Sequence, residues 1–211
     1  MRNGHFNGCS TPTNCWCEVK RYGILFCIAA VIMAAEVVGG IASKSLALLA
    51  DAGHVLTDTG AIFVAIVVGY CVKCGANEAR TRKIGGYINA LLLGGIAIFI
   101  AVEAVKRFKQ PQEVVSWMML SIATVGTIGN FVQHRIMKSA DNKHVTHESM
   151  RLHILSDLMQ SLGVVFGGVL IWVTGWVLID PIISMIIALW MGKWTWELIS
   201  KLRTGKYDDN E

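Results

Sequence analysis

The sequence has 211 residues, of which 54% are hydrophobic and 16% are charged, and it carries a formal net charge of +4. Soluble domains carry about 25% charged residues, so this composition excludes an ordinary soluble domain and favours an integral membrane protein. The basic residues do not cluster, so we expect no nucleic-acid partner.

Six long apolar segments follow one another along the chain. A membrane-spanning helix needs roughly 20 mostly apolar residues. The segments therefore predict an all-α, polytopic membrane protein with six transmembrane helices, at about Tyr22–Ile41, Leu46–Val72, Gly86–Phe108, Val114–Met137, Ser149–Thr174 and Val177–Ile199. We expect an N-terminal tail with Cys and His over residues 1–21, a six-helix membrane domain over 22–202 and a short tail over 203–211.

The positions of lysine and arginine predict the orientation in the membrane. If both termini lie in the cytoplasm, the exterior loops hold only Lys44, Lys106, Arg107 and Lys109 of the 19 basic residues. Lysine and arginine are enriched in cytoplasmic loops. We therefore expect both termini, including the two short tails, on the cytoplasmic side.

Two histidine–aspartate pairs lie inside the predicted spans. His54 precedes Asp58 by four positions, and His153 precedes Asp157 by four, so each pair shares one helix face. A charge at bilayer depth costs at least ~2.5 kcal/mol, so each aspartate needs a compensating partner. Two such helices, packed face to face, present two imidazole nitrogens and two carboxylate oxygens, which suits tetrahedral zinc. The two aspartates also balance the charge of a divalent ion.

Other interpretations of these residues stay open. Each histidine could pair with its own aspartate and tie helices together, although two matching pairs in different spans make this less favourable. The pattern is not that of an H-E-x-x-H protease, because His54 has no glutamate beside it and no second histidine four residues on. Asp51, one turn before His54, is either a group that relays protons or attracts cations, or a hydrated carboxylate at a helix end.

Some weaker signals have ordinary explanations. The tail residues His5, Cys9, Cys15 and Cys17 could bind metal, but Cys15-Trp-Cys17 lacks the spacing of structural zinc sites and a disordered tail is favoured. Tryptophans near the ends of the last spans, Trp194 among them, are expected to anchor at the membrane interface. Small residues, which allow close helix packing, occur at Gly94, Gly95, Gly163 and Gly167.

The segment Ser45-Leu-Ala-Leu-Leu-Ala-Asp-Ala-Gly-His-Val-Leu-Thr-Asp58 resembles the second helix of zinc transporters of the cation diffusion facilitator family. The run from Glu103 to Pro111 resembles the end of that family's third helix. Further similarity lies at Asn89, Asn130, His153-Ile-Leu-Ser-Asp157 and Asp180-Pro181, and the whole similarity covers about Tyr22 to Leu202. It implies that the transport-site ligands are His54, Asp58, His153 and Asp157.

The resemblance also implies a function. We expect a homodimeric exporter, not an enzyme, that exchanges zinc, and also cadmium, for protons across a bilayer, in a bacterial inner (plasma) membrane and without a resident cofactor. The alternative is a non-transporting metal receptor or chaperone that uses the Cys/His tail; an intramembrane metallo-hydrolase and a channel are weaker. The family usually continues into a cytoplasmic C-terminal domain, whereas this sequence ends at Glu211, so we expect a dimer formed by membrane helices alone.

Overall fold

The computed structural model describes residues 16–138 and 145–204, with side chains from Gly23 to Ile136 and from His153 to Thr204 except at positions 62, 65, 66 and 69. Within these ranges the chain is all-helical, as predicted. The helices are α1 (Trp16–Ser43), α2 (Leu46–Lys73), α3 (Glu78–Lys109), α4 (Ser116–Lys138), α5 (Val145–Thr174) and α6 (Ile179–Thr204). The tail residues His5, Cys9 and Cys15 and the tail beyond Thr204 lie outside the described residues, as does the side chain of Cys17.

Four of the described helices are long and apolar enough to cross a membrane. They are Gly23–Ser43 of α1, all of α3, His153–Thr174 of α5 and all of α6. Helices α2 and α4 do not join this group, and both carry polar side chains in their middle turns, such as Asp58 and Asn130. The chain is therefore a multi-pass membrane protein, with four of the six predicted spans supported by composition.

Several helices begin before the apolar segments from which they were predicted. Helix α3 begins at Glu78 rather than near Gly86, because the side chain of Asn77 caps it by accepting a hydrogen bond from Arg80 N at 3.0 Å. A cap of this kind satisfies one of the free N–H groups at a helix start. Helix α5 likewise begins at Val145, ahead of the predicted Ser149. Hydropathy identifies only the apolar part of a helix, whereas in α3 the capping residue Asn77 determines where the helix begins.

Helix α2 is central in the bundle. It packs against α1, α3, α5 and α6, while α4 packs against α1 and α5, and α3 packs against α6. The core beside α2 is formed by its first turns, where Leu46, Ala47 and Leu48 are at most 1% exposed. This arrangement brings α2 and α5, which carry the two histidine–aspartate pairs, into direct contact.

A buried polar cluster joins three helices at the end of the bundle opposite the chain termini. The carboxylate of Asp180, in the first turn of α6, accepts hydrogen bonds from Ser45 Oγ at 2.6 Å, Leu46 N at 2.9 Å and Ala47 N at 3.1 Å. Arg107, near the end of α3, pairs with the same carboxylate at 3.3 Å and also donates to the backbone oxygen of Lys44. We call Ser45, Arg107 and Asp180 the Asp180 cluster; it fixes the ends of α2, α3 and α6 together.

Candidate metal centre

Four ionisable side chains from α2 and α5 converge inside the bundle. His54 Nε2 lies 3.3 Å from Asp157 Oδ1 and 3.5 Å from Asp58 Oδ2. His153 Nε2 lies 3.3 Å from Asp58 Oδ2 and 3.7 Å from Asp157 Oδ2. We call these four residues the His/Asp cluster. The structure thus brings together every residue that the sequence singled out as a ligand.

The most compact part of the cluster consists of His54, Asp58 and Asp157. One ligand atom from each of these residues lies within 4.8 Å of the other two. His153 contacts both aspartates, but its ring centroid lies 6.1 Å from that of His54. Three donors are therefore close together, with the fourth at the rim.

The separations in the cluster are close to those of donors around one zinc ion. Bonds of about 2.0–2.1 Å from zinc to nitrogen or oxygen place tetrahedral ligands about 3.3–3.4 Å apart. Among the described residues, His54 Nε2, Asp58 Oδ2 and Asp157 Oδ1 are buried atoms without a hydrogen-bond partner. Buried polar atoms are normally paired, so these three call for a ligand. Their number, type and spacing fit a divalent cation such as zinc.

A cavity of about 560 Å³ leads to the cluster from one end of the bundle. It is lined by α1 from Gly23 to Ile32 and by α5 from His153 to Asp157, together with residues of α2 and α4, in the half of the bundle nearer the chain termini. The side chains of His153 and Asp58 are 35% and 31% exposed, whereas that of His54 is 1% exposed. An ion that enters from the cavity therefore reaches His153 and Asp58 first and His54 last.

Asp51 is buried behind the cluster and is not a hydrated helix-end group. Only 2% of the residue is exposed, so the hydrated alternative is wrong. Its carboxylate accepts hydrogen bonds from Gln160 Nε2 and from Ser161 Oγ, both at 2.8 Å, and Ser161 in turn accepts from Asn130 Nδ2 at 2.9 Å. This network ties α2, α4 and α5 together one turn from His54 and Asp157, and so holds the ligand-bearing faces in position.

Trp194 also contributes to the site, by packing against His54. Its ring centroid lies 5.2 Å from that of His54, with the planes tilted by 45°. The indole belongs to α6 and is half-buried against the core. It therefore packs against the imidazole of His54 within the bundle, and the interfacial position of this residue stays a prediction.

Sequence reasoning missed several polar residues around the cluster. Gln160 and Ser161 lie in the same helix as Asp157 but were given no role, and Glu36 in α1 was overlooked altogether. Glu36 is an acidic residue in the middle of an apolar run, so the cost of a charge at bilayer depth was the signal that could have found it. Asn130 joins the network at Asp51, whereas Asn89 Oδ1 is buried without a partner among the described residues.

Comparison with known proteins also indicates a protein family that handles metal cations. Residues 24–203 match the family model described as the cation efflux transmembrane domain. The chain is 37% identical over 182 residues to the metal cation efflux system protein CzcD of Cupriavidus metallidurans, covering 83% of this chain and 58% of CzcD. It is 35% identical over 189 residues to the zinc transporter ZitB of Escherichia coli, covering 86% of this chain and 60% of ZitB.

A third relative is named for both metals and protons. The cadmium, cobalt and zinc/H(+)-K(+) antiporter of Bacillus subtilis is 33% identical over 174 residues, which cover 79% of this chain and 56% of that protein. The chain thus spans a little under two thirds of the length of these curated relatives. The family match over residues 24–203 shows that the chain belongs to the cation efflux, or cation diffusion facilitator, family, whose members are transporters.

Proposed function

We propose that this chain moves divalent metal ions, zinc in the first place and cadmium as well, out of the cytoplasm in exchange for protons, with the His/Asp cluster as the transport site. The observation that carries the proposal is the convergence of two imidazoles and two carboxylates from α2 and α5 at donor separations of 3.3–3.7 Å. The printed names of CzcD, ZitB and the Bacillus antiporter support cargo of this kind.

The charges of the cluster suit an exchange mechanism. Two ionised aspartates and one divalent ion sum to zero when both histidines are neutral. Two ionised aspartates and two protonated histidines also sum to zero when no metal is bound. A buried site avoids the large cost of an unpaired charge in either form. Because metal ligands must be deprotonated, metal uptake releases protons, and proton uptake favours release of the metal.

The proposal includes six membrane spans with both termini in the cytoplasm of a bacterial cell. Helix α4 has 23 residues, which at 1.5 Å per residue gives about 34 Å, enough for a hydrocarbon core of about 30 Å. Helix α2 is longer still, with 28 residues. Their polar side chains Asp51, His54 and Asn130 are buried within the bundle, so lipid does not meet them. In this orientation the cavity faces the cytoplasm, which is where an exporter must load.

The rival functions have less support in the geometry. A metallo-hydrolase keeps one coordination position open for water and needs a general base. The His/Asp cluster offers four protein donors, which leave no coordination position open for water, and the carboxylate of Asp51 beside it is held by Gln160 and Ser161. A receptor or chaperone that binds metal through the N-terminal tail would give no function to His54 Nε2 and Asp157 Oδ1, two buried atoms that have no hydrogen-bond partner among the described residues.

A homodimer remains part of the proposal, by resemblance to the family. The predicted packing glycines divide into two groups: Gly94 faces Thr195 and Gly167 faces Ile183 inside the same chain, whereas nothing lies within 4 Å of the positions where side chains would begin at Gly95 and Gly163. The second group is available to another helix, since small residues allow close contact between membrane helices.

Transport by the purified protein in liposomes tests the function. With a pH indicator inside the vesicles, zinc that flows inward is expected to be exchanged for protons that flow outward, so the internal pH should rise. Cadmium is expected to have the same effect. Asp157→Ala removes one of the four donors and should abolish both signals while the protein stays folded in the membrane. Glu197→Ala, at an exposed acid of α6 outside the cluster, serves as the matched control.

Each result has a clear meaning. Zinc flux without any pH change would reject proton exchange but leave metal transport standing. Wild-type flux in Asp157→Ala would reject the His/Asp cluster as the transport site. High-affinity zinc binding with no flux through the wild-type protein would favour the receptor alternative.

A further inference from the structure

Glu36 is a buried acid that the transport site does not use. It lies in the middle of α1, and only 1% of the residue is exposed. Neither of its carboxylate oxygens has a hydrogen-bond partner among the described residues. An ionised carboxylate without a partner in an apolar interior is very unfavourable, so the group must bind a cation or carry a proton.

The groups around Glu36 are acidic. Its carboxyl faces that of Asp51 on α2 closely enough for a hydrogen bond when one of the two carries a proton, and Asp157 on α5 is near enough to repel a charge on it. From α4 it meets Gly126, where an added methyl carbon would lie 2.5 Å from Glu36 Oε1. The titratable residues of α4, which are His134, Arg135 and Lys138, come more than two helical turns later along the chain.

Asp51 is the better placed of the two acids to remain ionised. Each of its oxygens accepts one hydrogen bond, from Gln160 Nε2 and Ser161 Oγ. Donors of this kind stabilise a carboxylate. Glu36 lacks such donors in the described part of the chain, so a proton shared by the two acids belongs on Glu36 and points toward Asp51.

We propose that Glu36 and Asp51 form a proton-binding site that gives up its proton when the neighbouring His/Asp cluster takes up a divalent metal ion. This inference rests on the proposed function and adds to it a coupling site outside the four ligands. On release, the O–H bond of Glu36 breaks, its electron pair stays on the carboxylate, and the proton passes to water. The cavity that would hold this water reaches Ile32, one turn before Glu36 on α1.

The direction of the coupling follows from charge. While no metal is bound, Asp157 of the His/Asp cluster repels a negative charge on Glu36 and so favours the protonated acid. A divalent ion bound at Asp157 places a double positive charge beside this carboxylate, whereas in the protonated, metal-free cluster part of the positive charge lies on His153 at the rim. The ion therefore favours the ionised form of the Glu36–Asp51 pair more strongly than the two protons do. Metal uptake therefore expels the proton, and a returning proton weakens metal binding, as linkage between two sites requires.

The number of protons released per bound zinc tests the proposal without any transport. Purified protein in weakly buffered detergent solution is titrated with zinc, while a pH indicator counts protons and calorimetry counts bound zinc. Glu36→Gln keeps the size of the side chain but has no proton to release, so it should bind one zinc and release about one proton fewer than the wild type. Asp51→Asn should lose a proton in the same way, since it removes the other half of the pair.

Glu197→Gln is the matched control, because it neutralises an exposed acid of α6 and should leave the proton count unchanged. An unchanged count in Glu36→Gln, with zinc bound normally, would overturn the inference while the proposed function stands. A wild-type protein that binds and transports no divalent ion would overturn both.

An infrared measurement on the wild-type protein keeps the inference testable even where Glu36→Gln does not fold. The difference between zinc-bound and zinc-free spectra should show the loss of a C=O band from a protonated carboxyl group. Where the variant does fold, that band should be absent from its difference spectrum. A wild-type spectrum in which no protonated carboxyl band changes on zinc binding would overturn the proposal.

Discussion

In the proposed metal site, His54 is the innermost donor of the His/Asp cluster, and we expect it to have the most influence over which ion binds. The imidazole lies between Asp58, Asp157 and the ring of Trp194 and is almost fully buried. An ion bound there is therefore surrounded by fixed groups, with few water molecules to adjust its coordination. Nitrogen donors favour zinc, whereas oxygen donors favour harder ions such as manganese.

Replacing His54 by aspartate should keep transport but change the preference among ions. The change exchanges a nitrogen for an oxygen and adds a negative charge, so the ratio of zinc to manganese transport should fall by about tenfold. Rates for zinc, cadmium and manganese in the same liposomes measure this ratio. His134→Asp makes the same chemical change outside the cluster and should leave the ratio as it is. Identical ratios in His54→Asp and the wild type would argue against His54 as a ligand.

At the scale of single residues, the sequence revealed the cluster because each histidine and aspartate pair lies on one helix face. Spacing of four residues is local information, and the structure shows both pairs in contact. The groups that support the cluster could not be predicted in this way. Gln160 meets Asp51 across 109 positions, and Trp194 meets His54 from another helix. Such contacts depend on how helices pack, which no local pattern specifies.

Among the helices, α2 is held most firmly at its first turn. Its N-terminal N–H groups at Leu46 and Ala47 donate to Asp180 of α6, and its cap residue Ser45 both accepts from Leu48 N and donates to Asp180. A carboxylate at a helix N-terminus also interacts favourably with the helix dipole. Because α2 carries Asp51, His54 and Asp58, the Asp180 cluster fixes the position of these residues along the helix axis relative to α5.

Asp180→Ala should therefore lower the stability of the protein strongly. The change leaves the buried guanidinium of Arg107 with only the more distant carboxylate of Glu103, at 3.8 Å, and removes the acceptor for three donors at the start of α2. We therefore expect a loss of about 3 kcal/mol in the free energy of unfolding. Thermal unfolding in detergent, followed by tryptophan fluorescence, measures the effect. Glu78→Ala removes an acid paired with Arg82 at the exposed start of α3 and should cost less than about 1 kcal/mol. Equal losses in the two variants would show that the Asp180 cluster has little effect on stability.

The number and order of the helices could be read from the sequence, but their ends and contacts could not. Apolar runs long enough for a membrane are a strong signal, and each predicted span lies within one observed helix except for a few residues at its ends. Hydropathy does not predict the polar start of α3 at Glu78, because the capping residue Asn77, which lies before the apolar run, determines where the helix begins. The pairing of Asp180 with Ser45 spans 135 positions and had no local signal.

At the scale of the whole molecule, the two ends of the bundle differ. The cavity reaches the His/Asp cluster from the end that carries the chain termini. The opposite end is closed by the Asp180 cluster and by the hydrogen bond from Val115 N to Ser43 O at 2.9 Å. A transporter that exposes its site to one side at a time requires such an asymmetry. We assign this arrangement to the state that is open toward the termini.

Cysteine labelling tests that assignment. In a background without the native cysteines, Ala29→Cys places a thiol in the cavity wall, and Gln112→Cys places one in the loop between α3 and α4 at the closed end. Native Cys74, exposed after the end of α2, marks the end of the bundle that carries the termini when it is kept alone. In zinc-free vesicles, a membrane-impermeant maleimide should label Ala29→Cys from the same side as Cys74, and Gln112→Cys from the other side.

Zinc should slow the labelling of Ala29→Cys and leave that of Cys74 unchanged. The expected cause is that bound zinc stabilises the state in which the cavity is closed more than the state in which it is open, so the open population falls. Asp157→Ala, combined with Ala29→Cys, removes a donor and should abolish the zinc effect while the side of labelling stays the same. Labelling of Ala29→Cys from the side of Gln112 in zinc-free vesicles would contradict the assignment. The ion would then have to load from the end that the Asp180 cluster closes.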